Sequence, residues 1–505
     1  FPVMAIKNEE VVQTKWYDGF DGTKEVAFPG GDYDKLVIDE DHLTLDLYRK
    51  NNTIKTTGAF KTMAPIRLKF LAGVESSTKS TIYWTPLAAY NIYDKAMLGL
   101  GIYNATIPSK RFEFSLAPLY SFARNELNGL GNIKFNLFPK TTLLKRVTLD
   151  LGVKKFTQNY LPKDDNYLRY TRLVPKLTLE LGSHQNKPFS HRIEGRALLI
   201  REEVGTRINV DSIIFNEVTM MDDTLTFNLF NGNAWESSQI YEIAYSGENR
   251  RAVNPFSYRL ALEQRSYTTN SGSQKYLRAS LTFNTSFTYA PDKNLDFRFF
   301  VGGFLQNSRK TSSSYNNVFT QGSYTLTHQG YDDYKYDELV FNRNGKIEGS
   351  VDSSGFFRSE EVFNIFAQQV NEEEGGMKVA LGNSASFSQG QSNRFILALN
   401  FKADLPQTLP FNLPLKPYFD MGYYKLPDPF DPSAEGATFK EQFWWSGGIM
   451  LDFENVFSVH FPLVNSNNLK DLYKQWGSGK YGARITFTLD LNRANPFDLI
   501  NRIEF

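Results

Sequence analysis

The residues of this chain that could do chemistry are few and poorly spaced for it. There are five histidines, His42, His184, His191, His328 and His460, and no cysteine. A zinc hydrolase of the HExxH type sets two histidines on one helical face with a glutamate between them, and that motif does not occur. The closest pair, His184 and His191, lies in "SHQNKPFSH", whose composition reads as a turn. A phosphate-cradling GxxxxGK[ST] loop, a GxSxG elbow and paired cysteine ligands are missing as well. Gly99 and Gly101 alternate inside the strand pattern "MLGLGIY", where they suit curvature of a sheet rather than phosphate binding.

Two acidic clusters carry the oxygen ligands that calcium takes. "YDDYKYDE" offers Asp332, Asp333, Asp337 and Glu338, and "DPFDPSAEG" offers Asp428, Asp431 and Glu435. Both fall in stretches expected to be outer loops. Neither follows the twelve-residue calcium-loop pattern, and as catalytic carboxylates they have no partner. The chain therefore shows candidate calcium ligands but no catalytic motif and no cofactor site of its own.

Composition narrows the class. Lys plus Arg number 56 and Asp plus Glu 55, a balance that gives no reason to expect nucleic acid as a partner. The longest nearly apolar runs, "AMLGLGIY" and "FFVGGFL", are far shorter than the ~20 residues of a helical membrane span. A helical membrane protein is excluded. Aromatic residues make up 15% of the chain while the mean hydropathy is −0.40. Alternating lipid-facing and lumen-facing side chains average to that combination.

The elements that would position any site are strands. "GARITFTLDL" alternates apolar and polar residues from Ile485 to Leu491, and the same period of two recurs from about Ile82 onward, in "RVTLDLGVKKF", "LVPKLTLELG", "RFILALNFKADL" and "VFSVHF". The wet positions carry Asp150, Lys154, Glu180, Asp296, Arg298, Asn400, Lys402, Lys416, Asp420, His460 and Asp490. Short connections such as "FENV" alternate with long ones after Phe304 and after Val204, as in outer-membrane barrels, which keep short turns on the periplasmic side. Aromatics in "IYWTP", "YFDMGYY" and "QFWWSGG" suit interfacial girdles. The reading is an all-β chain: a transmembrane antiparallel outer-membrane β-barrel over residues 80–505, with about 16 strands in a range of about 14 to 18. "SNNLKDLYKQW" is the one helix expected, with Leu469, Leu472, Tyr473 and Trp476 on one face.

Residues 1–50 read as part of an Ig-like β-sandwich, the end of a larger upstream region, and 51–79 as linker and approach to the barrel. Two strands are expected in "VMAIKNEEVVQTKWY", joined by a turn at Lys7–Glu10, and two more on either side of the Pro29-Gly30-Gly31 break.

Several segments resemble a known family. "WYDGFDGTKEVAFPGGDYDKLVIDEDHLTLDLYRKNN", "IRLKFLAGV", "IYWTPLAAYNIYDKAMLGLGIYN", "NIKFNLFPK" and "FSVHFPLVNSNNLKDLY" look like the C-terminal half of large gluzincin metallopeptidases, family M-one, of Bacteroidota-type bacteria. The resemblance covers nearly the whole chain. It implies a zinc aminopeptidase domain upstream of Phe1, with the sandwich and barrel as its anchor, and zinc only in that upstream domain. No zinc ligand carries over to any position here.

Three functions compete: a periplasm-facing anchor for a peptidase-like domain, an assembly or translocation barrel with a weakly paired seam between first and last strands, and a pore or substrate channel. A soluble all-β binding protein is the residual alternative. The partners implied are outer-membrane lipid and other outer-membrane proteins or lipoproteins.

Overall fold

The computed structural model describes residues 1–23, 25, 27–46, 49–62, 64–73, 76, 78–104, 110–140, 143–161, 166–182, 189–216, 221–269, 272–308, 322–343, 347–351, 357–361, 365–381, 390–405, 413–425, 441–453, 456–475 and 480–490. At 161, 206–231, 267–274, 331, 347–351 and 357–361 that description is limited to backbone within these ranges.

The chain begins with a four-stranded antiparallel sheet, β1 (Pro2–Lys7), β2 (Glu10–Trp16), β3 (Lys35–Ile38) and β4 (Thr53–Lys55), in the order β2-β1-β3-β4. Asn8 and Glu9 make the β1–β2 turn with φ of 52° and 67°. Two successive positive φ values match the right-handed twist of the strands they join. The expected strand in "KEVAF" does not form: among the described residues, Glu25 and 27–33 are irregular. The fourth strand comes instead from Thr53–Lys55, inside the stretch read as linker. Asp39 organises the loop after β3. Its carboxylate accepts the N–H groups of Leu43 (2.7 Å) and Thr44 (2.8 Å), the Thr44 hydroxyl and the Arg49 guanidinium (2.9 Å).

Seventeen strands then follow one another round a single ring. They are β5 (Ile66–Phe70), β6 (Ser80–Asn91), β7 (Lys95–Tyr103), β8 (Phe112–Ser121), β9 (Glu126–Leu137), β10 (Leu144–Leu161), β11 (Asn166–Leu181), β12 (Phe189–Asn216), β13 (Met221–Asn249), β14 (Phe256–Thr269), β15 (Gly272–Ala290) and β16 (Lys293–Asn307), then β21 (Phe395–Ala403), β22 (Leu415–Lys425), β23 (Glu441–Phe453), β24 (Phe457–Asn465) and β25 (Thr486–Leu489). Between β16 and β21 lie the short pairs β17 (Tyr324–Thr325) with β20 (Gln391–Ser392) and β18 (Ile347–Val351) with β19 (Phe357–Glu361). β5 pairs parallel to β6. The other sixteen strands of the ring form the antiparallel meander that the alternation led one to expect.

The alternation also decides which way the ring faces. Along β10 and β11 the opposed pairs Leu149–Leu177 and Val153–Leu173 are exposed, whereas Lys154–Arg172 and Phe156–Tyr170 turn inward. Leu98, Leu116, Ile243 and Leu262 continue the exposed apolar belt, while Glu263, Arg278, Asp420 and His460 are buried inside. A soluble sheet would hide the first set and wet the second; only lipid outside makes this arrangement favourable. The protein is an outer-membrane β-barrel. Exposed aromatics gather near strand ends, with Phe112, Phe287, Tyr289 and Phe457 at one rim and Tyr90, Phe122 and Phe443 at the other. Part of the expected girdle is not there: Tyr418, Tyr424 and Trp444 are buried in the lumen.

Gly99 is explained by close approach. A Cβ there would sit 1.9 Å from the Pro118 carbonyl oxygen of β8, so the two backbones touch where only glycine fits.

Strand parity puts both ends of the barrel-forming chain on the side away from the longest connections, which is the periplasmic side in barrels of this kind. The opposite side carries the 308–394 connection, the segment after β24 and the β12–β13 hairpin. β12 and β13 pair with their outer neighbours only as far as Glu202 and Gln239. Beyond those residues the two strands pair with each other alone, to Asn216 and Met221.

Candidate functional site: a filled lumen and a wedged seam

The segment between β16 and β21, read from sequence as outer loop, folds back into the barrel. Residues 322–343 and 365–381 are buried along most of their length. Lys154 Nζ on β10 donates to the carbonyl of Asp337 (2.6 Å). Asp337 also pairs with Arg172 on β11 and with Arg196 on β12 (2.9 Å). Lys335 lies among Glu242 of β13 (3.3 Å), Glu263 of β14 (2.6 Å) and Glu374 (2.7 Å). Arg278 of β15 pairs with Glu263 (2.9 Å) and Glu374 (2.8 Å). Lys378 reaches Asp420 on β22 (3.1 Å). The inner segment is thus tied to β10–β15 and to β22 by charges that would be costly to bury alone.

Two apolar clusters complete the filling. On one side Tyr336 stacks on Tyr170 with ring centroids 3.9 Å apart, and the Arg343 guanidinium lies 4.2 Å from the Tyr336 ring. Tyr336 has φ of 54°, an unfavourable conformation for a bulky residue, and this stack holds it there. On the other side Leu326, Met377, Val379 and Leu381 pack with Trp444, Tyr424 and the helix α1 (Asn467–Gln475). Leu469, Leu472 and Tyr473 are the buried face of α1. The helix therefore packs on its own barrel; Trp476 lies outside the described residues.

Below the inner segment the lumen opens into a cavity of about 770 Å³. Lys134, Asp150, Lys176, Arg259, Lys402 and Asp452 are among the residues lining it. They stand on the periplasmic halves of their strands. Of the wet-face residues expected from sequence, Asp150, Lys154, Arg298, Lys402 and Asp490 line this cavity, and Asn400, Asp420 and His460 are buried in the wall.

The seam of the ring is the second feature. β25 pairs with β24 through four residue pairs, Phe457–Leu489 to His460–Thr486. β5 pairs with the first half of β6 through five, Ile66–Ser80 to Phe70–Trp84. β5 stands between β25 and β6 in the ring. Ile66, Leu68 and Phe70 of β5 are exposed on the lipid side. His460 braces β25: its Nδ1 lies 2.9 Å from Thr486 Oγ1 and its Nε2 2.8 Å from Ser458 Oγ. The Thr486 hydroxyl donates its one proton to the Lys378 carbonyl (3.0 Å). His460 Nδ1–H is then the donor to Thr486, and Ser458 donates to Nε2.

The calcium candidates separate. Asp428, Asp431 and Glu435 lie outside the described residues. Asp332, Asp333, Asp337 and Glu338 lie inside the barrel rather than in an outer loop. Asp332 accepts Gln391 Nε2 (2.8 Å) and the Gln329 N–H (3.0 Å), and Asp333 pairs with Arg343 (2.9 Å). Among the described residues no group of three or more His, Asp or Glu side chains is arranged to hold a metal ion. His191 stacks on Tyr245 at a strand end, with its Nδ1 2.6 Å from the tyrosine hydroxyl. Sequence reading missed Lys335, Arg343, Glu242, Glu263 and Arg278, although the last three stand on the wet faces of alternating strands.

No protein-family model matches the chain, and no curated protein matches it. Three solved structures illustrate what it is similar to. BamA from Haemophilus ducreyi lacking POTRA domains 1–3 aligns over 81% of this chain and 70% of that one, at 9% identity and a TM-score of 0.39. CdiB from Acinetobacter baumannii aligns over 78% and 60%, at 9% identity and a TM-score of 0.33. The outer membrane transporter YddB from Escherichia coli aligns over 73% and 64%, at 7% identity and a TM-score of 0.22.

Proposed function

We propose that this barrel works on polypeptide at its seam, as an assembly or translocation barrel reached from the periplasmic side. The observation that supports this reading is the wedge. The free edge of β6 is covered by a five-residue parallel strand in place of the last strand, and β25 is held by four pairs. An edge of unpaired N–H and C=O groups is a template for an incoming strand. Displacing β5 exchanges five pairs for a longer antiparallel ladder along Ser80–Asn91, which favours the exchange. The filled lumen argues in the same direction, because passage straight through it would break the ion pairs around Lys335 and Asp337.

The test uses the absence of native cysteine. Leu68 and Ile82 are opposed in the β5–β6 ladder, so Leu68→Cys with Ile82→Cys can lock the wedge by one disulfide. Vesicles containing the protein are given a urea-denatured small barrel polypeptide, and folding is read by heat-modifiable electrophoretic mobility. Folding faster than in empty vesicles is expected with the reduced double variant and not with the oxidised one. Equal rates in empty and loaded vesicles would sink the reading.

The anchoring reading keeps one support, the four-stranded sheet placed before the barrel on its periplasmic side, together with the resemblance to peptidase C-terminal halves. The intact mass and zinc content of the protein extracted from its native membrane test it: a mass well above 57.8 kDa with bound zinc is the outcome it requires.

A further inference from the structure

One carboxylate in the lumen stands outside the pairing described above. Of the buried carboxylates among the described residues, every other one accepts a hydrogen bond or an ion pair; Glu338, 9% exposed, does not. Its backbone N–H donates to Asp333 and its carbonyl accepts from Arg343, but its carboxylate has no donor. It lines the periplasm-facing cavity together with Glu373, which is exposed and also lacks a cation partner. His328 lines the same cavity, 9% exposed, with no hydrogen-bond partner at Nδ1.

The cations nearest Glu338 make their close contacts elsewhere: Lys154, whose charge also reaches Glu338, donates to the Tyr336 and Asp337 carbonyls. Arg343 holds Asp333, Arg172 and Arg196 hold Asp337, and Lys378 holds Glu372 and Asp420. Two carboxylates facing one cavity repel each other, and burial keeps water from screening them fully. A metal ion demands more oxygen ligands than two, and no group of three exists among the described residues. An organic cation needs fewer, because each of its N–H groups finds its own acceptor.

We propose that Glu338 and Glu373 form a binding site for an ammonium or guanidinium group entering from the periplasmic side. The cation comes from a free amine or from a Lys or Arg side chain of a polypeptide. The site does not depend on strand exchange at the seam, so either proposal can fail without the other.

Isothermal titration of the full chain in detergent tests it with two probes, agmatine and the capped peptide Gly-Gly-Arg-Gly-Gly. Saturable binding of at least one is expected, weakened tenfold or more by Glu338→Gln and by Glu373→Gln, and unchanged by Glu248→Gln at an exposed strand end. Binding of the peptide alone identifies a polypeptide source; binding of agmatine as well or alone identifies a free amine. Absence of binding by both probes overturns the proposal, as does wild-type affinity in Glu338→Gln. Calcium binding that depends on Glu338 while neither cation binds overturns it in favour of a metal. Glu338→Gln keeps the side-chain shape and removes repulsion, and Glu373→Gln changes an exposed position, so both variants are expected to fold, which heat-modifiable mobility checks.

Discussion

Arg278 concentrates the energetics of the lumen in one side chain. It is 2% exposed and bonded to Glu263, Glu374, the Tyr334 hydroxyl and the Gly322 carbonyl (3.1 Å). Removing one partner of a buried ion pair leaves the other charge without compensation and costs about 3–5 kcal/mol, whereas removing both is far milder. Arg278→Met is therefore expected to destabilise the barrel by that amount in urea unfolding in detergent, and Arg278→Met with Glu263→Leu to recover most of the loss. A single variant as stable as the wild type would show that Lys335 alone neutralises Glu263. Little of this was legible in the sequence. Glu263 and Arg278 stand on wet faces and were missed all the same, and Asp332, Asp333, Asp337 and Glu338 read as a solvated acidic run because Arg172 and Arg343, which pair with Asp337 and Asp333, carry no local signal. Alternation says that a side chain points inward and says nothing of what fills the inside.

At the scale of elements, the N-terminal sheet depends on Asp39. Burial pushes its carboxyl pKa up, but the donors from Thr44, Arg49 and Leu43 outweigh that and hold it well below the usual carboxylate range. A carboxyl depressed on folding contributes stability above its unfolded pKa, near 3.8, and that contribution is lost as pH falls below it toward the folded value. Hydrogen-exchange protection factors in β1, β3 and β4, taken against the intrinsic rate at each pH, are expected to fall from about pH 4 downward in the wild type; with Asp39→Asn they are expected to be lower at neutral pH and nearly flat across that range. Equal acid sensitivity in both would assign the loss to another group. Strands with a clean period of two, such as β10 and β11, were readable from sequence, and so was the β1–β2 turn. β5 was not, because five residues paired parallel to their own successor offer no alternating run long enough to recognise. The failed strand in "KEVAF" has a local cause: Pro29 and two glycines follow it, with no ladder to close against.

The whole molecule is a barrel of a size that could conduct, with its lumen occupied among the described residues. Barrels of about 16–18 strands leave an aqueous lumen unless something occupies it, and in this seventeen-strand ring the inner segment and α1 do. Planar-bilayer recordings of the intact chain are expected to show no steady conductance at low voltage, and replacement of 322–381 by a short Gly-Ser linker to produce discrete open steps. Steady conductance by the intact chain would restore the channel reading. Strand number, to within its range, and membrane location could be read from periodicity and loop length, since those are properties of the wall; the contents of the lumen have no period and were hidden. Those contents also set an order of events. Lys154 and Arg172 find their partners 183 and 165 residues further along the chain, so β10 and β11 leave the ribosome long before the carboxylate and carbonyls they need. Loops of that length close slowly, and each non-local contact waits for closure. The early strands must then be kept apart from lipid, with charges uncompensated, until the enclosed segment arrives. Insertion into the membrane is accordingly a late step in which wall and contents come together, and a chain stopped before Asp337 would have a wall with nothing to close upon.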